Sequence, residues 1–281
     1  MGHQMSEKLV FSLNLYEIYE PMNIVIVPLD FSITSFNAAH YAAEMYQGKD
    51  NVRLILYHFY SDEKDAGNAV NLLTSLQTEL QVSVSNIEIL IESGANFIDS
   101  LAAFAHVRRA YMIVMGLNSK KPLEQRFLGS KTLKLTEKEI CPVLIVPENA
   151  RYIGLSNAMI TSELKSVEET PTLLSVKRIL QDFKPNLHIL NVDDSHYLAL
   201  STAYKAERDK MAELLKEFKP EFYFMRLYDF QESVELFVQD QHIDLIIIAP
   251  KFHSFFDRLF KTQHTKKLIY QSKVPVLAVH D

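Results

Sequence analysis

Cysteine is nearly absent from this chain: Cys141 is the single one among 281 residues. No intramolecular disulfide can form, and a reducing compartment fits. Cys141 stands at the mouth of an apolar segment, where a free thiol reads as a small buried hydrophobe. Long apolar runs are missing as well, since none reaches the roughly 20 residues a helix needs to cross a bilayer. The short run Leu9 to Leu15 is broken by Ser12 and Asn14 and followed by Glu17 and Glu20, with no small-residue cleavage site of the secretory kind. Residues 1–21 are expected to form an irregular extension on a cytoplasmic protein that does not engage a membrane. A basic excess is also lacking. The net charge is −6 and the pI near 5.9, which speaks against a general nucleic-acid binder. The ten histidines form no metal-ligand cluster. His58 and His188 fall inside strand patterns and are expected to be satisfied core residues, while His253 and His264 share a loop with no third ligand. Glycine is scarce, with seven in the chain, so each one calls for a reason.

What is present is a soluble globular pattern, 48% hydrophobic and 23% charged, long enough for two domains with their own cores. Apolar runs at Ile24 to Leu29, Val52 to Phe59, Ile87 to Ile91, Tyr111 to Met115 and Val143 to Val146 read as strands buried on both faces. Amphipathic stretches at Ser35 to Tyr46, Asp65 to Leu80, Phe97 to Val107 and Thr132 to Glu139 separate or follow them. Such alternation implies a parallel α/β sheet with right-handed crossovers. The cycle restarts after Pro147. Strands are expected at Tyr152 to Leu155, Leu187 to Val192, Phe222 to Met225, Ile243 to Ala249 and Val276 to His280. Helices are expected at Val167 to Phe183, Tyr197 to Phe218, Phe230 to Gln239 and Thr265 to Gln271.

The two cycles share a signature. Thr132 precedes Pro142-Val-Leu as Thr265 precedes Pro275-Val-Leu, and the two prolines lie 133 residues apart. An internal repeat makes each copy a candidate folding unit, and differences between the copies report divided labour. The expected domains are residues 22–148 and 151–281, docked closely because the link has no flexible Gly/Ser tract.

Chemistry concentrates in the first copy. Strand one ends in Val27-Pro-Leu-Asp30-Phe-Ser32, and strand four delivers Met115-Gly116. In an open parallel sheet these carboxyl ends flank the crevice where ligands bind. After Gly116 come Ser119, the cations Lys120, Lys121 and Arg126, and Gly129-Ser130-Lys131-Thr132 leading into a helix. Glycines let a backbone approach a ligand, and a helix start with hydroxyls offers N–H donors to phosphate. Asp30 can accept hydrogen bonds from a ribose or base edge. The bland alternative makes Gly116 and Gly129 turn residues and Asp30 and Ser130 helix caps.

These residues resemble the universal stress protein family, whose nucleotide-binding members carry Gly-x2-Gly-x9-Gly-(Ser/Thr) after strand four. Gly116, Gly129 and Ser130 match, and Ser119 stands where the second glycine is expected. The opening Ile24 to Ser32 and Asn37 to Ala43 look like the family's first strand and helix. The resemblance covers about Met22 to Asp281 as two tandem family domains. It implies two open five-stranded parallel sheets of order 3-2-1-4-5 with helices on both faces, docked as a pseudo-dimer, with a homodimer as a further option. It implies an adenine and ribose edge at Asp30, a base-side contact at Phe59, and phosphate contacts from Gly116, Ser119, Gly129, Ser130 and Lys131. The implied ligand is an adenine nucleotide, ATP with Mg or AMP. If position 119 needs a left-handed backbone, serine there costs roughly 1–2 kcal/mol, which weakens micromolar binding of about 8 kcal/mol without abolishing it.

The second copy reads as degenerate. Ala158 falls near the place of Asp30, Val192 replaces Phe59, Pro250 replaces Gly116, and Thr262-Gln263 replace Gly129-Ser130. Its loop from Lys251 to Lys267 is either a retuned anion site, an aromatic contact surface, or a solvated helix start. Asp193-Asp194 lacks a lysine partner for phosphoryl chemistry and reads as a loop or cap. Three functions follow: a cytoplasmic stress-response protein binding a nucleotide in its first half, a nucleotide-independent module docking an unidentified protein, or a slow ATPase or nucleotide-dependent transferase. No general acid, base or nucleophile is placed for the third.

Overall fold

The computed structural model describes residues 22–62, 66–117, 134–136, 138, 140–164, 167–168, 170–192, 201–225, 230–248 and 272–279. In the first half, β1 (Asn23–Leu29), β2 (Val52–Tyr60), β3 (Ile87–Ser93), β4 (Met112–Leu117) and β5 (Val143–Pro147) are interleaved with α1 (Ile33–Met45), α2 (Ala66–Leu80) and α3 (Phe97–Val107). The second half carries β6 (Asn157–Thr161), α4 (Pro171–Phe183), β7 (Asn186–Val192), α5 (Thr202–Leu214), β8 (Glu221–Met225), α6 (Phe230–Asp240), β9 (Leu245–Ile248) and β10 (Val276–Ala278), with a 3-10 turn at Lys216–Phe218. Helix starts follow their caps. Ser32, Asn96, Thr170 and Ser201 each accept a backbone N–H in the first turn, satisfying donors the helix leaves unpaired.

All ten described strands belong to one sheet of order β3-β2-β1-β4-β5-β10-β9-β6-β7-β8. The expectation of two separate five-stranded sheets is corrected accordingly. Pairing is parallel throughout except between β5 and β10, where Val276 faces Ile145 and Ala278 faces Val143 antiparallel. The order 3-2-1-4-5 nevertheless holds along the first five strands, and β8-β7-β6-β9-β10 runs equivalently from the other edge. The register also recurs. Val25 faces Leu54 and Met112 in the first half, and 133 residues on, Ala158 faces Leu187 and Leu245 in the second. Left-handed backbone recurs at the same interval, at Phe31 and Leu164 and at Arg109 and His242.

The second half departs from expectation at its entry. The strand predicted at 152–155 forms at Asn157–Thr161. Tyr152 instead lays its ring on Tyr41 at 5.5 Å, and Leu155 packs on the core. Their apolar character serves tertiary packing, not a sheet ladder. Helix α4 starts at Pro171, after the expected Val167, because Thr170 caps it and proline suits the first helical turn.

Both helical layers bury residues from the two halves together. On one face Val25, Leu56 and Leu73 share a cluster with Ile160, Ile179 and Met211. On the other, Ile55, Leu101 and Ile145 join Leu190, Val234 and Phe237. Polar contacts tie the halves as well: Tyr111 Oη donates to Asp182 at 2.5 Å, Lys49 Nζ to the Asp182 carbonyl at 2.6 Å, and Arg178 to Asn23. Partly exposed contacts of this kind are worth about 1 kcal/mol or less each, against about 1.5–3 kcal/mol for one fully buried aliphatic side chain. The apolar layers therefore dominate the joint.

His188 contradicts the expectation of a satisfied core histidine. It is buried against Tyr223 and Phe237, at 5.5 and 6.1 Å, and neither ring nitrogen has a hydrogen-bond partner among the described residues. Burial pushes its pKa below the usual histidine value, partly opposed by Glu221. The unfolded chain then takes up this proton at a higher pH than the folded one, so stability is lost as pH falls below the ordinary value of about 6.5. The register partner in the first half is Ile55. His188→Ile should lose less stability than wild type between pH 7.5 and pH 5, measured by urea unfolding at both pH values.

Candidate functional site

At the carboxyl end of β1 the chain turns sharply into α1. Asp30 Oδ1 accepts from the Ser32 hydroxyl at 2.5 Å and from the Ser32 amide at 3.1 Å. Ser32 in turn caps the helix by accepting from the Ser35 amide at 3.2 Å, and its hydroxyl lies 3.0 Å from that of Thr34. Asp30 thus braces the cap and does not cap the helix itself. Partial burial acts to raise its pKa, but the Ser32 hydrogen bonds outweigh this and hold the carboxyl below its usual range. Between the two, Phe31 adopts φ 60°, a left-handed conformation uncommon for a non-glycine residue.

Gly116 explains itself by proximity. A Cβ built there would overlap the Thr34 carbonyl group and lie 3.1 Å from the Ser35 amide nitrogen. The start of α1 sits directly on the end of β4, and any side chain at 116 would lift it. This is a packing reason that neither the ligand reading nor the plain-turn reading supplied.

These elements enclose a cleft of about 450 Å³, lined by Pro28, Leu29, Asp30, Thr34, Ser35, Phe59, Ser61, Ala95, Asn96, Phe97, Ile98, Met115, Gly116 and Lys134. Asp30, Phe59, Met115 and Gly116, widely separated in sequence, therefore meet on one wall. Ser119, Gly129, Ser130, Lys131 and Thr132 lie outside the described residues, as do Asp193, Asp194 and the second-half loop. Phe59 stands edge-on to Phe97 at 5.9 Å, and Gly94 makes room for its ring, since a Cβ at 94 would come within 3.2 Å of it. The result is an aromatic wall beside an ionised carboxylate, a surface suited to a flat ring carrying hydroxyls.

The starts of α1 and α3 both border the cleft, through Thr34 and Ser35 and through Asn96, Phe97 and Ile98. Their unpaired N–H groups and dipoles favour an anion, and Lys134 adds a cation to the lining. Sequence reasoning missed the hydroxyl cluster Ser32, Thr34, Ser35 and the cap Asn96. A run of Ser and Thr directly after a strand, and an Asn just before an apolar-periodic stretch, are the capping signals that would have found them. Among the described residues no group of His, Cys, Asp and Glu is arranged to hold a metal ion, and no helix is long and apolar enough to cross a membrane. Cys141, raised to about 12 by burial, is an inert thiol at neutral pH.

The register reassigns the second-half counterparts. With β6 at 157–161, Ala158 aligns with Val25, and the residue 133 positions after Asp30 is Glu163. The acid that seemed lost is retained as glutamate. By the same register Ala249, not Pro250, aligns with Gly116, and Ala249 itself lies outside the described residues.

Residues 22–147 match the universal stress protein family. The stretch runs from β1 through β5 and includes every described residue of the cleft. In fold, the whole chain is similar to a universal stress protein from Archaeoglobus fulgidus DSM 4304, at 13% identity and TM-score 0.68, covering 92% of this chain and 97% of that one. Protein PA1789 from Pseudomonas aeruginosa PAO1 is similar at 14% identity and TM-score 0.63, covering 92% of each chain. A universal stress protein solved in complex with cAMP covers 46% of this chain and 100% of its own, at 23% identity and TM-score 0.40. No curated protein matches the chain.

Gly116→Ala tests the close approach. The added methyl forces α1 off β4, and overpacking of this kind costs about 1–3 kcal/mol. Urea denaturation should show that loss; an unchanged midpoint would mean the helix start yields freely.

Proposed function

We propose that the chain is a cytoplasmic stress-response protein that binds an adenine nucleotide in the first-half cleft, with the second half in a structural and regulatory role. The observation that carries this reading is the convergence of Asp30, Phe59, Met115 and Gly116 on one cleft bordered by two helix starts, inside the stretch that matches the universal stress protein family. On this reading Asp30 accepts from the ribose hydroxyls, Phe59 and Phe97 flank the base, and Gly116, Ser119, Gly129, Ser130, Lys131 and Thr132 receive the phosphates. ATP brings Mg bound through its own phosphates; AMP needs none. Residues 22–148 and 151–281 are two diverged copies of one domain, a reading supported by the recurring register, docked as a pseudo-dimer in one sheet.

Calorimetric titration with ATP and AMP tests it. One site per chain with micromolar affinity is expected. Asp30→Ala, which removes the ribose acceptor, and Gly129→Val, which crowds the phosphates, should each weaken binding about tenfold or more, equal to about 1.4 kcal/mol, without unfolding the protein. No heat with either nucleotide, or a crystal structure with the nucleotide in the second half, would refute the assignment.

Binding, not turnover, is the expected output. Hydrolysis requires an oriented water and stabilised charge on the transferring phosphoryl group, and the described cleft offers lysine and helix dipoles but no side chain placed as a base. Metal-supplemented purified protein should hydrolyse ATP far below the ordinary enzyme rate of about 1 per second. A rate at that level, abolished by Asp30→Ala, would make the protein an ATPase.

A further inference from the structure

One side chain holds the residues on both sides of Asp30. His58 Nδ1 donates to the Leu29 carbonyl, just before Asp30, at 2.8 Å. The same imidazole stands 4.4 Å from the ring of Phe31, just after it. His58 is buried, and its Nε2 has no hydrogen-bond partner among the described residues, so its polar work is directed at the Leu29 carbonyl. Phe31 needs such support. Its left-handed backbone costs roughly 1–2 kcal/mol relative to the right-handed region and persists only where neighbours over-determine it.

The second half repeats the arrangement with a different side chain. Asn191, 133 residues after His58, donates from Nδ2 to the Ser162 carbonyl at 2.8 Å. Ser162 precedes Glu163, and Leu164 after it has φ 50°. Histidine and asparagine share an N–H donor at the end of the second strand, and little else. In both halves that donor grips the carbonyl before an acidic residue, and a left-handed residue follows. The common element is the donor, not the imidazole.

We propose that His58 is a positioning residue for the Asp30 carboxylate: its bond to the Leu29 carbonyl and its stacking on Phe31 fix the left-handed turn that presents Asp30 to the cleft. The consequence for affinity rests on the nucleotide reading above; the consequence for the turn does not. Without the donor, the Leu29 carbonyl loses its grip, Phe31 relaxes toward right-handed backbone, and the Ser32 bonds that keep Asp30 acidic are broken.

The test is carboxyl-carbon NMR titration of Asp30 in the full chain, beside AMP calorimetry, for wild type, His58→Asn and His58→Leu. Asp30 should titrate below the usual carboxylate range in wild type and in His58→Asn, which copies the second-half donor. In His58→Leu it should move up toward the ordinary value, and the AMP Kd should rise about tenfold or more. His58→Phe, which keeps a ring on Phe31 and removes the donor, carries the same expectation if His58→Leu does not fold. An Asp30 titration unchanged in the donor-less variants, or a His58→Asn titration displaced as far as theirs, overturns the proposal. Absence of AMP binding to wild type refutes the nucleotide reading alone, and the titration still decides the positioning role.

Discussion

The antiparallel ladder between β5 and β10 is the contact on which the rest of the molecule depends. Three residue pairs make it, and backbone hydrogen bonds contribute only about 1 kcal/mol each once exchange with water is counted. Its weight is geometric. By joining the inner edges of the half-sheets it removes two exposed strand edges, which would otherwise invite pairing with other chains. It also aligns the helical layers, so that the clusters on both faces run without a break across the joint. The edges that remain are β3 and β8. On β3, Glu88 is clamped by Arg108 at 2.7 and 2.9 Å, placing paired charge beside an otherwise open ladder.

Within that frame the cleft depends on two departures from ordinary backbone. Gly116 lets the start of α1 rest on the end of β4, and Phe31 turns the chain left-handed so that Asp30 and Ser32 meet. Each is unfavourable or impossible for a generic residue: a side chain at 116 collides with Thr34, and positive φ is rare outside glycine. Local exceptions of this kind concentrate where a fold has been committed to a ligand. Asp30, Gly116 and the hydroxyl cluster are thus one mechanical unit, in which the helix start supplies N–H donors and the braced carboxylate supplies the acceptor.

Much of this was legible in the sequence because hydrophobic periodicity is strong where strands are buried on both faces. Seven of the ten strands, β1 to β5, β7 and β8, begin within one residue of the expected start. The entry to the second half was not legible, since Tyr152 and Leu155 carry strand-like apolar character but bury it against Tyr41 and the core. That slip of a few residues propagated. It set Ala158 opposite Asp30 and hid Glu163, because counterpart positions follow the ladder register, and only strand pairing fixes a register. The single sheet was hidden too: the sequence shows that β5 and β10 are similar and apolar, but not that they pair with each other. His188 illustrates a third limit. A histidine in an apolar strand pattern looks like a satisfied core residue, and only the surrounding rings reveal that both its nitrogens lack partners.

The retained Glu163 changes what divided labour means here. Loss of every site feature at once would have made the second half a mere scaffold. Instead it keeps the acid, the left-handed residue after it and the side-chain clamp on the preceding carbonyl, while Val192 stands where Phe59 forms the aromatic wall. The decisive difference lies between strand and helix. Ser32 caps α1 three residues after β1 ends, whereas Thr170 caps α4 nine residues after β6 ends. A helix start delivers its N–H donors and dipole only within about its first turn, so a longer loop uncouples the acid from the anion-favouring end of the helix. The second half thus preserves the turn while separating it from the helix start, whereas the first half holds acid, hydroxyls and helix dipole within three residues of one strand end. This spacing favours an anionic ligand in the first half and leaves the repeated turn of the second half with the structural task of closing β6 against β7.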